Sequence, residues 1–540
     1  MLFRNRRYAL FLLCLFLLVP IAGHSASAEA PPQIGIYLDG KKIVTDVPPF
    51  ITAKTNVTMV PLSVISKSLG ANVSWSQATK TATIRHEGLV LDMTMGQKFA
   101  LVNGQRTDLE TTVQVVSGRV MVPLRFVGTQ LQLLVTWQQA TRTILLQSQE
   151  GGEVGPGPGP GPGPGPGPGP GPGSGNSETL RGAWVSTVYN LDWPTDKSYG
   201  KPEQQKQDYI KLLDDLQAMG LNAAFVQVRP SADSFYPSAL VPWSRYLSGK
   251  QGTDPGYDPL AFMIEETHKR GMEFHAWFNP FRATVDEKKE GLAANHIAIT
   301  HPEWVVLFNK KYYINPGIPE ARQHIIDAIM EVVRGYDIDG VHLDDYFYPS
   351  GSFPDDATYA AYNTDLLSAK ADWRRDNINR FVKELGESIH LVKPQLSYGI
   401  SPFGVWRNIA DDPTGSDTKA GVTTYDSMYA DVRTWIQQGW IDYVAPQIYW
   451  SLSFEVARYD KLVNWWANEV RGTNVKLLIG HAPYKLGTKE AGWSTAQEII
   501  NQLIYNKNVV EVQGDIFFSA KDLRRNPLGL IPLLQQYYQQ

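Results

Sequence analysis

From Leu180 onward, short apolar runs alternate with longer stretches whose apolar residues recur every three or four positions. The first pattern predicts strands and the second amphipathic helices, and their regular alternation predicts βαβ units on a parallel sheet. Strands are predicted to begin near Gly182, Ala223, Glu273, Gly340, Leu396, Tyr443, Lys476 and Gly514. A helical stretch follows each, most clearly Gln205 to Met219, Glu320 to Arg334 and Thr495 to Asn506. Eight units are the count that closes a barrel, whereas doubly wound sheets usually stop at about six strands. The fold expected over 179–540 is therefore an α/β (β/α)8 TIM barrel. The segment exceeds the typical length of about 250 residues for this architecture, and the excess follows strands one to five, on the face where barrel enzymes work.

The pattern before Leu180 is different. Residues 58–84 recur 62 positions later as residues 120–146. Each copy reads as a short strand, a Val-Pro-Leu helix start, a strand ending in Trp75 or Trp137, a turn and a last alternating strand. Asp39-Gly40 and Asn103-Gly104 read as matching hairpin turns. A small α+β repeat domain is expected over 33–148, followed over 149–178 by a linker whose Gly-Pro alternation between Gly155 and Pro172 implies a semi-stiff spacer.

Residues 1–28 read as a signal peptide: Arg4, Arg6 and Arg7, an apolar run from Tyr8 to Ala22, then Ala26-Ser27-Ala28 as a cleavage site. The run falls short of the roughly 20 residues that span a bilayer, and no later segment could span. The mature chain is expected to be secreted or held at the cell surface or wall. The only cysteine, Cys14, leaves with the peptide, which excludes disulfide and thiol chemistry.

A net charge of −4 without long basic runs lacks the footprint of a nucleic-acid binder. The 15 Trp and 25 Tyr suit either a large core or stacking against sugar faces.

Strand phasing turns these elements into a candidate site. In the fourth strand Val341 and Leu343 take the helix side, which sends His342 and Asp344 to the barrel axis and Asp345 off it. The same rule sends Gln227 and Arg229 inward from the second strand, and His275, Trp277 and Asn279 from the third. It places Gln447 and Tyr449 inward from the sixth strand, and Asp515, Phe517 and Ser519 from the eighth. Burying so many polar groups without partners costs roughly 1 to 3 kcal/mol each, which points to a ligand site.

Three motifs then carry a resemblance. Arg181-Gly182-Ala183-Trp184-Val185, the run from Gly340 to Pro349, and Ala445-Pro446-Gln447-Ile448-Tyr449-Trp450 together resemble the glycosyl-hydrolase-like family 10 group of bacterial exported proteins. The resemblance implies hydrolysis of glycosidic bonds, with cell-wall peptidoglycan glycan or a related amino-sugar polymer as the substrate class. Asp344 is the candidate nucleophile or base, and Asp345 its positioning partner or the acid. Arg229, Trp277, Asn279, His342, Tyr346, Gln447, Tyr449 and Trp450 are the candidate substrate-binding residues. Family 18 chitinases carry Asp-Gly-x-Asp-x-Asp-x-Glu on the same strand; in that register Asp344 matches the last Asp, and Tyr346 stands where those enzymes have their proton-donating Glu. The donor is therefore open, with Asp233, Glu303 and Asp515 as further candidates.

No cofactor is expected. The repeat region resembles the copper amine oxidase N-terminal-like domain, but with His86 as its only histidine and no cysteine it offers no copper ligand set. Two other readings stay open for the barrel. One is a non-catalytic glycan-binding barrel, and the other a metal-dependent hydrolase on His275, His342, His481 and Asp344.

Overall fold

The computed structural model describes residues 34–148, apart from short internal stretches of which 63–70 is the longest, and residues 179–539. The signal peptide, Cys14 and the Gly-Pro repeat lie outside the described residues. The described residues fall into two compact units, one within 1–169 and the other within 170–540.

The first unit is β-rich, with one described helix longer than a turn, Leu124–Gln130. The two copies of the repeat meet directly: Thr58–Pro61 pairs antiparallel with Arg119–Pro123. Residues 62 apart, Val60 with Val122, Leu62 with Leu124, Ala82 with Ile144 and Ile84 with Leu146, are buried in one core. Each copy thus supplies half of an interior that neither could close alone. The Asn103-Gly104 turn has φ of 50° and 84°, the left-handed pair that a two-residue hairpin requires.

The second unit is a closed parallel barrel. Its strands are β1 (Leu180–Val185), β2 (Ala223–Arg229), β3 (Glu273–Phe278), β4 (Gly340–Leu343), β5 (Ser397–Ile400), β6 (Tyr443–Val444), β7 (Lys476–His481) and β8 (Val512–Phe517). β8 pairs with β1 to close the ring. Each strand is followed by a helix, among them α1 (Pro202–Ala218), α2 (Pro259–His268) and α3 (Pro319–Gly335), all with proline in the first turn, where a missing N–H costs nothing. α1 buries Tyr209, Leu212, Leu213 and Leu216, the one-face spacing that its sequence predicts.

The lumen is filled, not hollow. Trp184, Ala223, Phe225, Trp277, Tyr443, Ala445, Leu478 and Ile516 form an interior cluster separate from the layer between strands and helices. His275 stacks on Phe225 at 4.3 Å, and His342 lies parallel to Tyr443 at 5.9 Å. Glycines make room for these rings: a Cβ on Gly340 would collide with His275, and one on Gly399 with Tyr443.

Where phasing fails, the cause is local. From β8 and the residue after it the lumen receives Ile516 and Phe518, not Asp515, Phe517 and Ser519 as expected. Both faces of a barrel strand are buried, so the run Ile516-Phe517-Phe518 carries no alternation to read. Asp515 instead accepts from His481 Nε2 (2.7 Å) and Asn506 Nδ2 (2.7 Å) on the helix side. His481 also meets Gln502 of the helix Gln497–Lys507, so it faces away from His275 and His342. The four-residue metal set does not converge, and among the described residues no group of three or more His, Cys, Asp or Glu is placed to hold a metal ion.

The length beyond a minimal barrel follows β2 to β5 at the carboxyl ends of the strands. It includes a hairpin after β3 (Val305–Phe308 with Lys311–Ile314) and a helix after β4 (Asp356–Tyr362). No helix among the described residues is long and apolar enough to cross a membrane.

Candidate active site

At the mouth of the barrel, β4 ends at Leu343, and the next two residues are the carboxylates Asp344 and Asp345, 5% and 3% exposed. Because the strand has already ended, period-two alternation no longer governs them. Asp345 is not turned away from the site as expected; it shares the site with Asp344, whose charge acts on it directly.

Asp344 is held by a hydrogen-bond relay that starts in the backbone. The amides of Thr187 and Val188 donate to Gln227 Oε1 at 3.0 and 2.8 Å. Gln227 Nε2 donates to Asn279 Oδ1, and Asn279 Nδ2 donates to Asp344 Oδ2. Residues from the loop after β1, from β2 itself and from just past β3 therefore orient one carboxylate just past the end of β4. The Tyr346 amide contributes a long bond to Asp344 Oδ1 at 3.4 Å. Phasing sends Gln227 inward, but nothing in the sequence shows that it is spent on orienting Asn279.

The electrostatics of the pair are set by burial. Desolvation pushes the Asp344 carboxyl up to about 6, against the Arg282 charge and the hydrogen bonds from Tyr346 and Asn279. Asp345 is pushed further, to about 8, by burial and then by the negative charge of Asp344; its own amide, Gln447 and Arg282 oppose the shift. Asp345 Oδ2 has no hydrogen-bond partner. Near neutral pH the two carboxyls together hold one proton. Two neighbouring carboxyls with separated proton affinities are what acid and base roles require.

Around the pair, Trp277 lies beside Asp344 on the lumen side and is 6% exposed. Gln447, half-buried, hydrogen-bonds Asp345 and donates to the Ser401 carbonyl at 3.0 Å. Tyr346 is 43% exposed, and the Arg282 guanidinium sits 5.6 Å from its ring centroid. Tyr449 is half-buried between Phe518 (6.2 Å) and Tyr484 (5.9 Å), within electrostatic reach of both carboxyls. Trp450 follows it, half-buried, its ring packed near Gly404.

Two expected ligand residues are corrected. His342 is fully buried beneath the site, bonded to Trp184 Nε1, Ser401 Oγ and Tyr443 OH, each at 3.0 Å. Arg229 is also fully buried and braces the loop after β3, donating to the carbonyls of Asn279 (2.8 Å) and Pro280 (3.1 Å). A register shift between Gln227 and Arg229 breaks the alternation that predicted it inward. Of the other acids, Glu303 is exposed beside His301, Asp515 sits on the helix side, and Asp233 lines a cavity of its own. Of the two arginines that the sequence offers as ion-pair partners for the aspartates, Arg229 and Arg282, it is Arg282 whose charge acts on both carboxyls.

Both units have counterparts among known proteins. The glycosyl hydrolase-like 10 family model matches residues 179–495, and the copper amine oxidase N-terminal domain model matches residues 37–146. The chain is 55% identical over 357 residues to glycosyl hydrolase YngK of Bacillus subtilis, a match that covers 65% of this chain and 70% of that protein. It is 41% identical over 374 residues to glycosyl hydrolase DigH of Escherichia coli, covering 65% of this chain and 85% of the relative. Among solved structures, the PgaB (BpsB) glycoside hydrolase domain from Bordetella bronchiseptica is similar at 13% identity, with a TM-score of 0.44, covering 67% of this chain and 99% of that one.

Proposed function

The chain belongs to the glycosyl hydrolase-like 10 family, and we propose that it is an exported glycoside hydrolase that cleaves cell-wall peptidoglycan glycan or a related amino-sugar polymer. The observation that carries this reading is the Asp344–Asp345 pair, two buried carboxyls at the barrel mouth of which one keeps its proton near neutral pH. Glycoside cleavage needs one carboxyl to protonate the leaving oxygen and a second to act on the anomeric carbon or on water.

Asp345 is the acid. Burial and its neighbour's charge keep it protonated, and its buried Oδ2 is committed to no partner within the protein. Asp344 is the base or nucleophile, kept ionised and oriented by Asn279, the Tyr346 amide and Arg282. As the bond to the leaving sugar breaks, the Asp345 proton passes to the departing oxygen, and Asp344 either attacks the anomeric carbon or takes a proton from the attacking water. The anomer first released, read by NMR, separates these two courses. Tyr449, Trp450 and Tyr346 offer rings at the mouth against which sugar faces stack.

The test is to incubate wild type, Asp344→Asn and Asp345→Asn with peptide-free peptidoglycan strands and with chitin oligomers, and to analyse the products by mass. Shortened glycans from wild type and almost none from Asp344→Asn are expected; equal products from that variant refute the assignment. Binding without any release of shorter products would make the barrel a lectin. Recovery of the protein outside the membrane with a new N-terminus after Ala28 tests export.

A further inference from the structure

Beside the catalytic pair, the loops after β2 and β3 enclose a second cavity of about 370 Å³. Asp233 lines it and is 1% exposed. Its protein donors are the Ser231 amide (3.1 Å), a long bond from Gln251 Nε2 (3.4 Å) and the Ser244 hydroxyl. Among the described residues no lysine or arginine forms an ion pair with it. A carboxylate offers about four acceptor positions, so capacity remains unused. Ser231 also lines this cavity; it is 5% exposed, and its buried hydroxyl has no hydrogen-bond partner. A buried hydroxyl left without a partner costs stability that nothing in the protein recovers. Both groups are supplied for a molecule that enters.

The remaining lining indicates what that molecule is. Arg245, Lys250 and Lys288 face Asp233, Asp286 and Glu290, three cations against three anions, with Arg245 and Asp286 3.7 Å apart. The cavity therefore selects no net charge, and its deepest groups accept and donate hydrogen bonds. At its rim Tyr189 presents a 60% exposed ring, set edge-on to Tyr246 at 6.4 Å, with its hydroxyl donating to the Val285 carbonyl at 3.4 Å. Tyr189 is held at φ 58°, a left-handed conformation rare for a bulky residue and characteristic of functional positions.

The cavity is joined to the catalytic pair on two sides. Arg282, which faces both carboxyls, donates to the Pro230 carbonyl at 3.4 Å, next to Ser231, and is followed by the lining residues Ala283 and Thr284. Val188, whose amide belongs to the relay that holds Asp344, immediately precedes Tyr189. We infer that this cavity is a distal subsite for one neutral pyranose ring of the glycan, whose hydroxyls donate to Asp233 and pair with Ser231 while its face rests on Tyr189. The inference rests on the glycosidase reading and adds to it a dependence on chain length.

The test uses the full chain and chitin oligomers of three and six sugars. Calorimetric binding is measured in Asp344→Asn, with and without Asp233→Asn or Ser231→Ala, and cleavage rates are measured with Asp344 intact. The hexamer is expected to bind better than the trimer. Asp233→Asn should remove about tenfold of hexamer affinity and Ser231→Ala about threefold, each leaving the trimer unchanged, as loss of one charge-assisted or one neutral hydrogen bond predicts. Ser231→Ala deletes an oxygen that bonds nothing in the protein, so it should melt with wild type and controls for misfolding in Asp233→Asn. If wild type cleaves glycans and neither variant alters the preference for the hexamer, the subsite is refuted and the catalytic reading stands. If no cleavage occurs but Asp233→Asn still abolishes that preference, the subsite stands and the catalytic reading falls. Failure to bind either oligomer overturns both.

Discussion

If Asp345 is the acid and Asp344 the base, cleavage must follow a bell with its limbs at about 8 and about 6. With single-proton limbs there, the competent fraction is about 0.8 near pH 7 and about 0.1 at pH 5 and at pH 9. The sign follows from the roles: activity rises as Asp344 loses its proton and falls as Asp345 loses its own. The decisive variant is Asp345→Asn, assayed for kcat/KM on an aryl glycoside whose leaving group departs without protonation. The alkaline limb should vanish, and the acidic limb should stay, because the amide keeps its bulk near Asp344 but titrates nothing. A natural glycan should remain uncleaved by the same variant. A flat profile between pH 5 and 9, or an alkaline limb that survives Asp345→Asn, refutes the assignment. Arg282→Gln supplies a further check: its charge lowers both carboxyls, so its loss should move both limbs to higher pH.

Other outcomes follow from the same contacts. Asn279→Ala removes a hydrogen bond to a charged group and should lower kcat about 10- to 100-fold, with an acidic limb moved to higher pH. In the folded protein Asp345 keeps its proton up to about 8, whereas an unfolded aspartate releases it near pH 4. Its burial therefore costs stability as pH rises between those two values, up to about 5 kcal/mol. Asp345→Asn should accordingly raise Tm at pH 9 and leave it unchanged near pH 4, where the native carboxyl is neutral; no gain at pH 9 refutes the burial argument. Asp515→Ala strands His481 and Asn506 on the helix side and should cost about 2 to 6 kcal/mol in denaturant unfolding, with turnover per folded molecule retained. Gly340→Ala drives a methyl into the His275 ring and should lower stability by at least about 1 to 3 kcal/mol in the same unfolding assay.

Strand positions were legible because each βα unit repeats the same change of period; all eight predicted starts fall within two residues of those observed. The repeat was legible for the same reason, and its partners at a spacing of 62 do share one core. Side-chain direction was less legible. Phasing places Asn279, Trp277 and Asp344 together because His275-Ala276-Trp277 and Val341-His342-Leu343 alternate in polarity. It fails on Phe517, where both faces are apolar, on Arg229, where the ladder slips, and on Asp345, where the strand has stopped. Arg282 and the cavity around Asp233 belong to loops, whose course no periodicity describes.

The packed lumen has a consequence for how a polymer is met. Trp184, Phe225, His275, His342 and Tyr443 plug the channel beneath Asp344, so there is no tunnel through which a glycan could be threaded from its end. Under the proposed glycosidase reading, sugar, attacking water and departing product would all use the same open side, and a chain laid across such a mouth could be cut between internal sugars without a terminus first being found.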